Sequence, residues 1–138
     1  LPSLLERHPG FAVLAAVLAL ALLLKLAVSG RAAPKDPTRM FSQAQRLEGF
    51  ARAGGTCELD GAWFIRCRKP AHHGDHWYPW SKGGATSMTN FVAACVRCNT
   101  SKGAKLPGFF ATQRIEARRR RYFAAGVPTK AGQKFTQR

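Results

Sequence analysis

Acidic residues are what this 138-residue chain has least of: seven Asp and Glu stand against 22 Lys and Arg, a formal net charge of +15. So one-sided a balance excludes a basic partner and points to a polyanion. Nucleic acid is the first candidate, with an anionic membrane surface or plain solubility as the other sources of such charge. No internal repeat is visible, which excludes a repeat architecture. The length leaves room for one small domain and an appendage, and no more. Cysteine is also sparse. Four of them make either two disulfides in an exported protein or one structural zinc site in a reducing compartment. The spacing Cys57-x9-Cys67-x27-Cys95-x2-Cys98 favours zinc, because the closing pair is the short knuckle that brings both sulfurs to one ion at a helix start.

The N-terminal part differs sharply from the rest. Phe11 to Leu24 is an unbroken apolar run, followed by Lys25 and Leu26-Ala27-Val28. A helix over about residues 11–28 is near the lower limit for crossing a bilayer, and a lysine this close to its end can reach the interface. The same features suit a cleaved signal peptide. Lys25, Arg31, Lys35 and Arg39 all follow the run, whereas upstream Arg7 is offset by Glu6. Positive residues stay inside, so the asymmetry predicts a single-span anchor with the C-terminal domain in the cytoplasm, export after signal cleavage being the alternative. From Gly30 onward 20 basic residues face 6 acidic ones.

The pattern divides into a membrane segment at 1–29, a Pro-containing linker at 30–38, a compact domain at 39–106, a basic helix at 107–126 and a disordered basic tail at 127–138. Within the domain, Met40, Phe41, Ala44, Leu47, Phe50 and Ala51 recur at helical spacing until Gly54-Gly55. Trp63-Phe64-Ile65 and Trp77-Tyr78 read as short strands, Phe91-Val92-Ala93-Ala94 as their partner, and the residues after Cys95 as a helix ending at Gly103. This is a small α+β domain whose core is too small to stand without a metal staple.

The segment Asp75-His76-Trp77-Tyr78-Pro79-Trp80-Ser81-Lys82-Gly83-Gly84, then Asn90, then Cys95-x2-Cys98-Asn99-x2-Lys102 resembles the HNH endonuclease family over about the middle third of the chain. The resemblance implies a ββα-metal, treble-clef-like fold. It departs from the family in the first cysteine pair, nine residues apart instead of two. Phosphodiester hydrolysis needs a base for water, a cation on the phosphoryl oxygens and help for the departing 3′ oxygen. A histidine near its usual pKa of about 6.5 is poised as that base, and the role falls to His76. Asp75 points to the other side of an extended strand. The resemblance implies that Asp75 and Asn99 hold a catalytic divalent ion and that Asn90 positions the base through hydrogen bonds. A carboxylate with an amide oxygen suits magnesium or manganese.

Lys102, on the same helix face as Asn99, either steadies phosphate or is an ordinary exposed lysine. Lys82, Arg97 and Arg118, Arg119, Arg120 and Arg121 complete the expected nucleic-acid contacts, the arginine run being equally suited to anionic lipid. His72 and His73 read as surface residues, with zinc ligation in place of Cys67 or DNA contact as the other options. The expected protein is a membrane-anchored, metal-dependent endonuclease acting on double-stranded DNA, with a structural zinc on Cys57, Cys67, Cys95 and Cys98 and no small-molecule cofactor. The alternative is a zinc-stabilised nucleic-acid-binding module without catalysis.

Overall fold

Ala, Leu and Val without a breaker form helix α1, Pro9–Ser29, every residue of Gly10–Ala27 being exposed. The computed structural model of the chain describes residues 9–29 and 33–137, so the expectations for 1–8, 30–32 and Arg138 lie outside the described residues. The chain divides into two compact units between Ala32 and Ala33. Helix α1 is long and apolar enough to cross a membrane, a test that a signal sequence also passes.

In the second unit, α2 (Gln43–Arg52) starts at a capping box. Ser42 Oγ accepts from Gln45 N at 3.2 Å and Ser42 N donates to Gln45 Oε1 at 2.8 Å, satisfying two backbone donors that helix geometry orphans. Two glycines with left-handed φ, Gly54 and Gly55, follow the helix. The helix starts later than the periodicity suggests. Met40 and Leu47 are exposed, and Phe41 is buried ahead of the cap.

The sheet has two antiparallel strands, β1 (His73–His76) and β2 (Phe91–Ala94), with His76 opposite Phe91 and Asp75 opposite Val92. All four β2 residues are buried, because apolar clusters cover both faces. Phe91 and Ala93 face Phe41 and Ala53, while Val92 and Ala94 join the four cysteines, Leu59, Trp77 and Ile115. Phe91 fits a slot made by two glycines. A Cβ on Gly49 of α2 would lie 2.2 Å from its ring, and one on Gly74 of β1 2.4 Å.

Helix α3 (Val96–Lys102) begins at Cys95 and stops before Gly103. Helix α4 (Phe109–Tyr122) buries Ile115 and Arg119. The Arg119 guanidinium donates to Glu58 Oε1 at 2.8 Å and to the Phe91 carbonyl at 2.8 Å, while Glu58 also accepts from Tyr122 Oη and the Ala93 amide. Glu58 and Arg119 are each 1 % exposed. This fully partnered ion pair bolts α4 to β2.

Four expectations are corrected. Trp63-Phe64-Ile65 is no strand: Ala62–Phe64 is a 3-10 turn in which Trp63 and Phe64 have left-handed φ of 56° and 60°. The bridge between Asp60 and Arg66 leaves too few residues for extended pairing. Left-handed backbone costs a non-glycine residue roughly 1–2 kcal/mol. Trp77-Tyr78 lies beyond β1, because the Asn90 side chain takes up Tyr78 N and O at 2.8 and 3.0 Å in place of a strand partner. Residues 36–38 are not a free linker: Asp36 accepts from Trp80 Nε1 and from the Thr86 amide, both at 2.8 Å. Nor do residues 127–137 trail as a disordered tail. Ala131 is buried, Gly84 bridges Lys134, and Ala85 N donates to Gln133 O at 2.9 Å. These backbone donors and acceptors complete the 83–90 loop, a pairing that polar composition does not reveal.

Candidate functional site

The turn after Cys57 folds back through Cys67 N donating to Leu59 O at 2.9 Å, which returns Cys67 beside Cys57. The N-terminus of α3 supplies the other two, Cys95 Sγ accepting from Cys98 N at 3.5 Å. All four thiols are free and buried, and their sulfurs lie within 4.8 Å of one another. A tetrahedral ion with metal–sulfur bonds of about 2.3 Å needs sulfurs about 3.8 Å apart, and Cys67 and Cys95 already sit at 3.9 Å. The cluster therefore fits a structural metal such as zinc. Burial pushes the Cys57 and Cys98 thiols up. At Cys95 burial also pushes up, but the Cys98 amide and the neighbouring thiols outweigh it and hold the group down at about 7. Cys95 is thus the thiol that ionises most easily.

The opposite face of the sheet carries His76. It is buried, and the Phe41 ring packs against it with centroids 4.4 Å apart. Its Nε2 lies 2.9 Å from Thr86 Oγ1, whose hydroxyl donates to the Thr38 carbonyl. A hydroxyl has one hydrogen, and here it is spent on Thr38; toward His76 the oxygen can only accept. The ring therefore carries its proton on Nε2 and keeps a lone pair on Nδ1. Desolvation lowers the His76 pKa, Lys102 and Arg39 add to that, and Asp75 and Asp36 oppose it, so the ring stays neutral at physiological pH. His76 lines a cleft of about 450 Å³ with Asp75, Arg39, Arg46, Phe41 and Trp80.

Strand alternation turns Asp75 toward α3. Lys102 Nζ reaches Asp75 Oδ2 at 2.8 Å and the His76 carbonyl at 2.6 Å, so Lys102 is a tie between α3 and β1 and no exposed lysine. Asp75 Oδ1 has no such partner among the described residues and is the oxygen open to a cation. Asn99 lies one turn before Lys102, and its carboxamide makes no hydrogen bond among the described residues. Asn90 is placed differently from the expectation. It is fully buried, its Nδ2 donates to the Tyr78 and Ala85 carbonyls at 3.0 and 2.7 Å, and it has no bond to His76. Its amide locks the loop between the strands, and Thr86, absent from the motif, orients the imidazole.

Residues 57–105 match the family model of the HNH endonuclease. The chain carries an HNH domain. The match spans the cysteine cluster, both strands and α3. No curated protein and no solved structure matches the chain.

The HNH domain places the remaining expected residues unevenly. Lys82, Arg97, Arg120 and Arg121 are exposed. Arg118 is held by Asp60 Oδ1 at 2.7 Å, and Arg119 is the buried partner of Glu58, so neither is free for a phosphate. A helix that packs on one face consumes those of its arginines that point inward. His72 is exposed and His73 half-buried, and the metal-capable cluster among the described residues includes neither. Arg39, Arg46, Thr38 and Thr86 line or brace the cleft without any local sign in the sequence. Glu58 had one: it is a carboxylate next to a buried cysteine, in a chain with few acids.

Proposed function

We propose that the HNH domain is a metal-dependent endonuclease that hydrolyses DNA phosphodiester bonds, double-stranded DNA being the substrate its charge suits best. One observation carries this reading: a neutral imidazole with its Nε2 committed to Thr86 and its Nδ1 without a partner among the described residues, in a cleft beside an aspartate. His76 Nδ1 takes a proton from water, and the resulting hydroxide attacks phosphorus as the P–O3′ bond breaks and the 3′ oxygen leaves. Asp75 Oδ1 and the Asn99 amide oxygen would hold a magnesium or manganese ion. Such an ion polarises the phosphoryl oxygens and offsets charge on the leaving oxygen. Arg39 and Arg46 offer cations to the phosphates. Lys102 keeps Asp75 and the His76 backbone in register, and Asn90 keeps the loop closed around them. Zinc on Cys57, Cys67, Cys95 and Cys98 would staple the fold and take no part in the chemistry.

Helix α1 is proposed as a single-span anchor, with the domain on the cytoplasmic side where thiols stay reduced. A signal sequence cleaved on export is the other outcome. It would leave the mature protein soluble and its cysteines open to oxidation.

Plasmid nicking by the full chain with magnesium or manganese, run beside His76→Ala, tests the hydrolase. Loss of a general base lowers such rates by about 10²–10⁴-fold, so wild-type nicking by the variant would remove His76 from the role. A second reading, a zinc-stabilised nucleic-acid-binding module without hydrolysis, draws on the Lys102–Asp75 ion pair, which occupies half of the proposed ligand carboxylate. Under it a salt-sensitive gel shift appears with no cleavage products at any divalent ion concentration.

A further inference from the structure

The nine residues between Cys57 and Cys67 are far more than two metal ligands need, and they end in a turn that is costly to hold. Trp63 is 90 % exposed, Phe64 68 % and Ile65 66 %, so three large apolar side chains in a row face water. The first two sit on left-handed backbone that their bulk disfavours. Lone exposed apolar residues are ordinary, but an exposed aromatic run on strained backbone is not, and such strain gathers where a surface is used.

The turn is braced and not loose. Gly61 N donates to Ile65 O at 2.7 Å, Arg118 donates to the Phe64 carbonyl at 3.3 Å, and the Arg114 guanidinium lies over the Phe64 ring at 4.5 Å. Asp60 fixes both arginines at 2.8 and 2.7 Å. The aromatics are therefore presented in a set position, which lowers the entropy lost when a partner covers them.

The location identifies the partner. Asp60, Gly61 and Ala62, at the base of the turn, line a groove of about 650 Å³ together with Arg97, Lys102 and Lys105. Lys102, on the lining of this groove, also bonds Asp75 and the His76 carbonyl, which ties the groove to the strand that carries the proposed reacting pair. A ligand lying there must offer phosphates to Arg97 and Lys105 and a flat apolar face to the turn. Nucleic acid offers both in one molecule. A lipid surface would match the aromatics and the basic rim, but not a groove whose lining residue Lys102 bonds Asp75.

We propose that the Trp63-Phe64 turn is a DNA-contacting element of the HNH domain, with Trp63 stacking on a base or wedging at a base step beside the cut site while Arg97 and Lys105 hold the flanking phosphates. The inference rests on the DNA reading of the domain, and its test needs no cleavage. The full chain, carried in lipid nanodiscs with no chelator and no added magnesium or manganese, is titrated with a short fluorescein-labelled duplex. Trp63→Ala is expected to weaken binding about 10–100-fold, the scale of one lost stacking contact, with Trp63→Phe recovering most of it. Trp63→Gly, which suits left-handed φ, should melt at a higher temperature than the wild type while binding as poorly as Trp63→Ala. That pair of results is one a merely structural turn would not produce.

Equal affinity of wild type and Trp63→Ala overturns the inference alone. Quenching of Trp63 by brominated acyl chains in the nanodisc, undiminished by duplex, assigns the turn to the bilayer and overturns it as well. Absence of any duplex binding by the wild type overturns it together with the DNA reading. A Trp63 effect on binding in a protein that cannot nick with any metal leaves the inference standing and removes the hydrolase.

Discussion

The thiol cluster and the His76 cleft occupy opposite faces of one two-stranded sheet, and they are built by different means. On the first face four residues of one type converge on a single point, each placed by a turn or a helix start within a few residues of it. On the second, one imidazole is fixed by Thr86, which is fixed by Thr38, which belongs to the segment ahead of α2. A metal-type cluster is closed and cooperative, so losing any ligand empties it. A cleft is open on one side, and its parts can be altered singly. The first therefore governs whether the domain folds, and the second what it does once folded.

The largest effect is expected from the thiol side. If zinc fills the cluster, chelation or Cys98→Ser removes a term of about 10–16 kcal/mol, which exceeds the whole stability of an ordinary small domain, so circular dichroism and amide spectra should show an unfolded second unit. A folded apo-domain would dissolve the contrast. Next comes the bolt beneath the sheet. Arg119→Ala leaves Glu58 buried without its partner and should lower stability by about 3–5 kcal/mol in denaturant titration.

The cleft side should behave otherwise. Thr86→Val keeps the shape but frees the imidazole to change tautomer, and turnover should fall about tenfold or more, the low end for a mis-set base, with melting temperature and DNA affinity little changed. Thr86→Ser should restore most of it, and the nitrogen shifts of His76 should move from the Nε2-protonated pattern only in the valine variant. A stability loss as large as that of Arg119→Ala would show that Thr86 is scaffold.

The smallest expected effect is in pH. Burial lowers the His76 pKa below the usual value of about 6.5. Its neutral ring thus favours the folded state above that value, and the contribution is lost as pH falls from there toward the folded pKa. Stability should drop slightly across that window in the wild type and not in His76→Ala. The acid limb of nicking should lie below pH 6.5 by the same reasoning, and a limb above it would contradict a buried, neutral base.

Several parts of this arrangement were legible in residue order because they are short-range. Cys95-x2-Cys98 reads as a knuckle since two residues of helix start set both sulfurs on one side. Asp75-His76 reads as a two-faced pair because strand geometry alternates, and Phe91–Ala94 reads as a buried strand because all four residues are apolar. What was not legible depends on partners far away in the chain. Asn90 looked like an orienter of His76 but closes the 78–85 loop, Arg119 looked like a phosphate contact but pairs with Glu58, and residues 127–137 looked unstructured but complete the backbone bonding of residues 83–90.

By itself the amino-acid order determined the basic charge, the apolar helix, the Cys95-x2-Cys98 knuckle and the aspartate–histidine pair, since each follows from composition or from spacing within a few residues. Which nitrogen of His76 keeps its lone pair, which arginines remain free, and where the aromatic turn stands were decided only by the tertiary structure. A hydrogen bond or an ion pair commits a side chain only once folding brings its partner within about 3 Å, and no local pattern records which distant residue that will be.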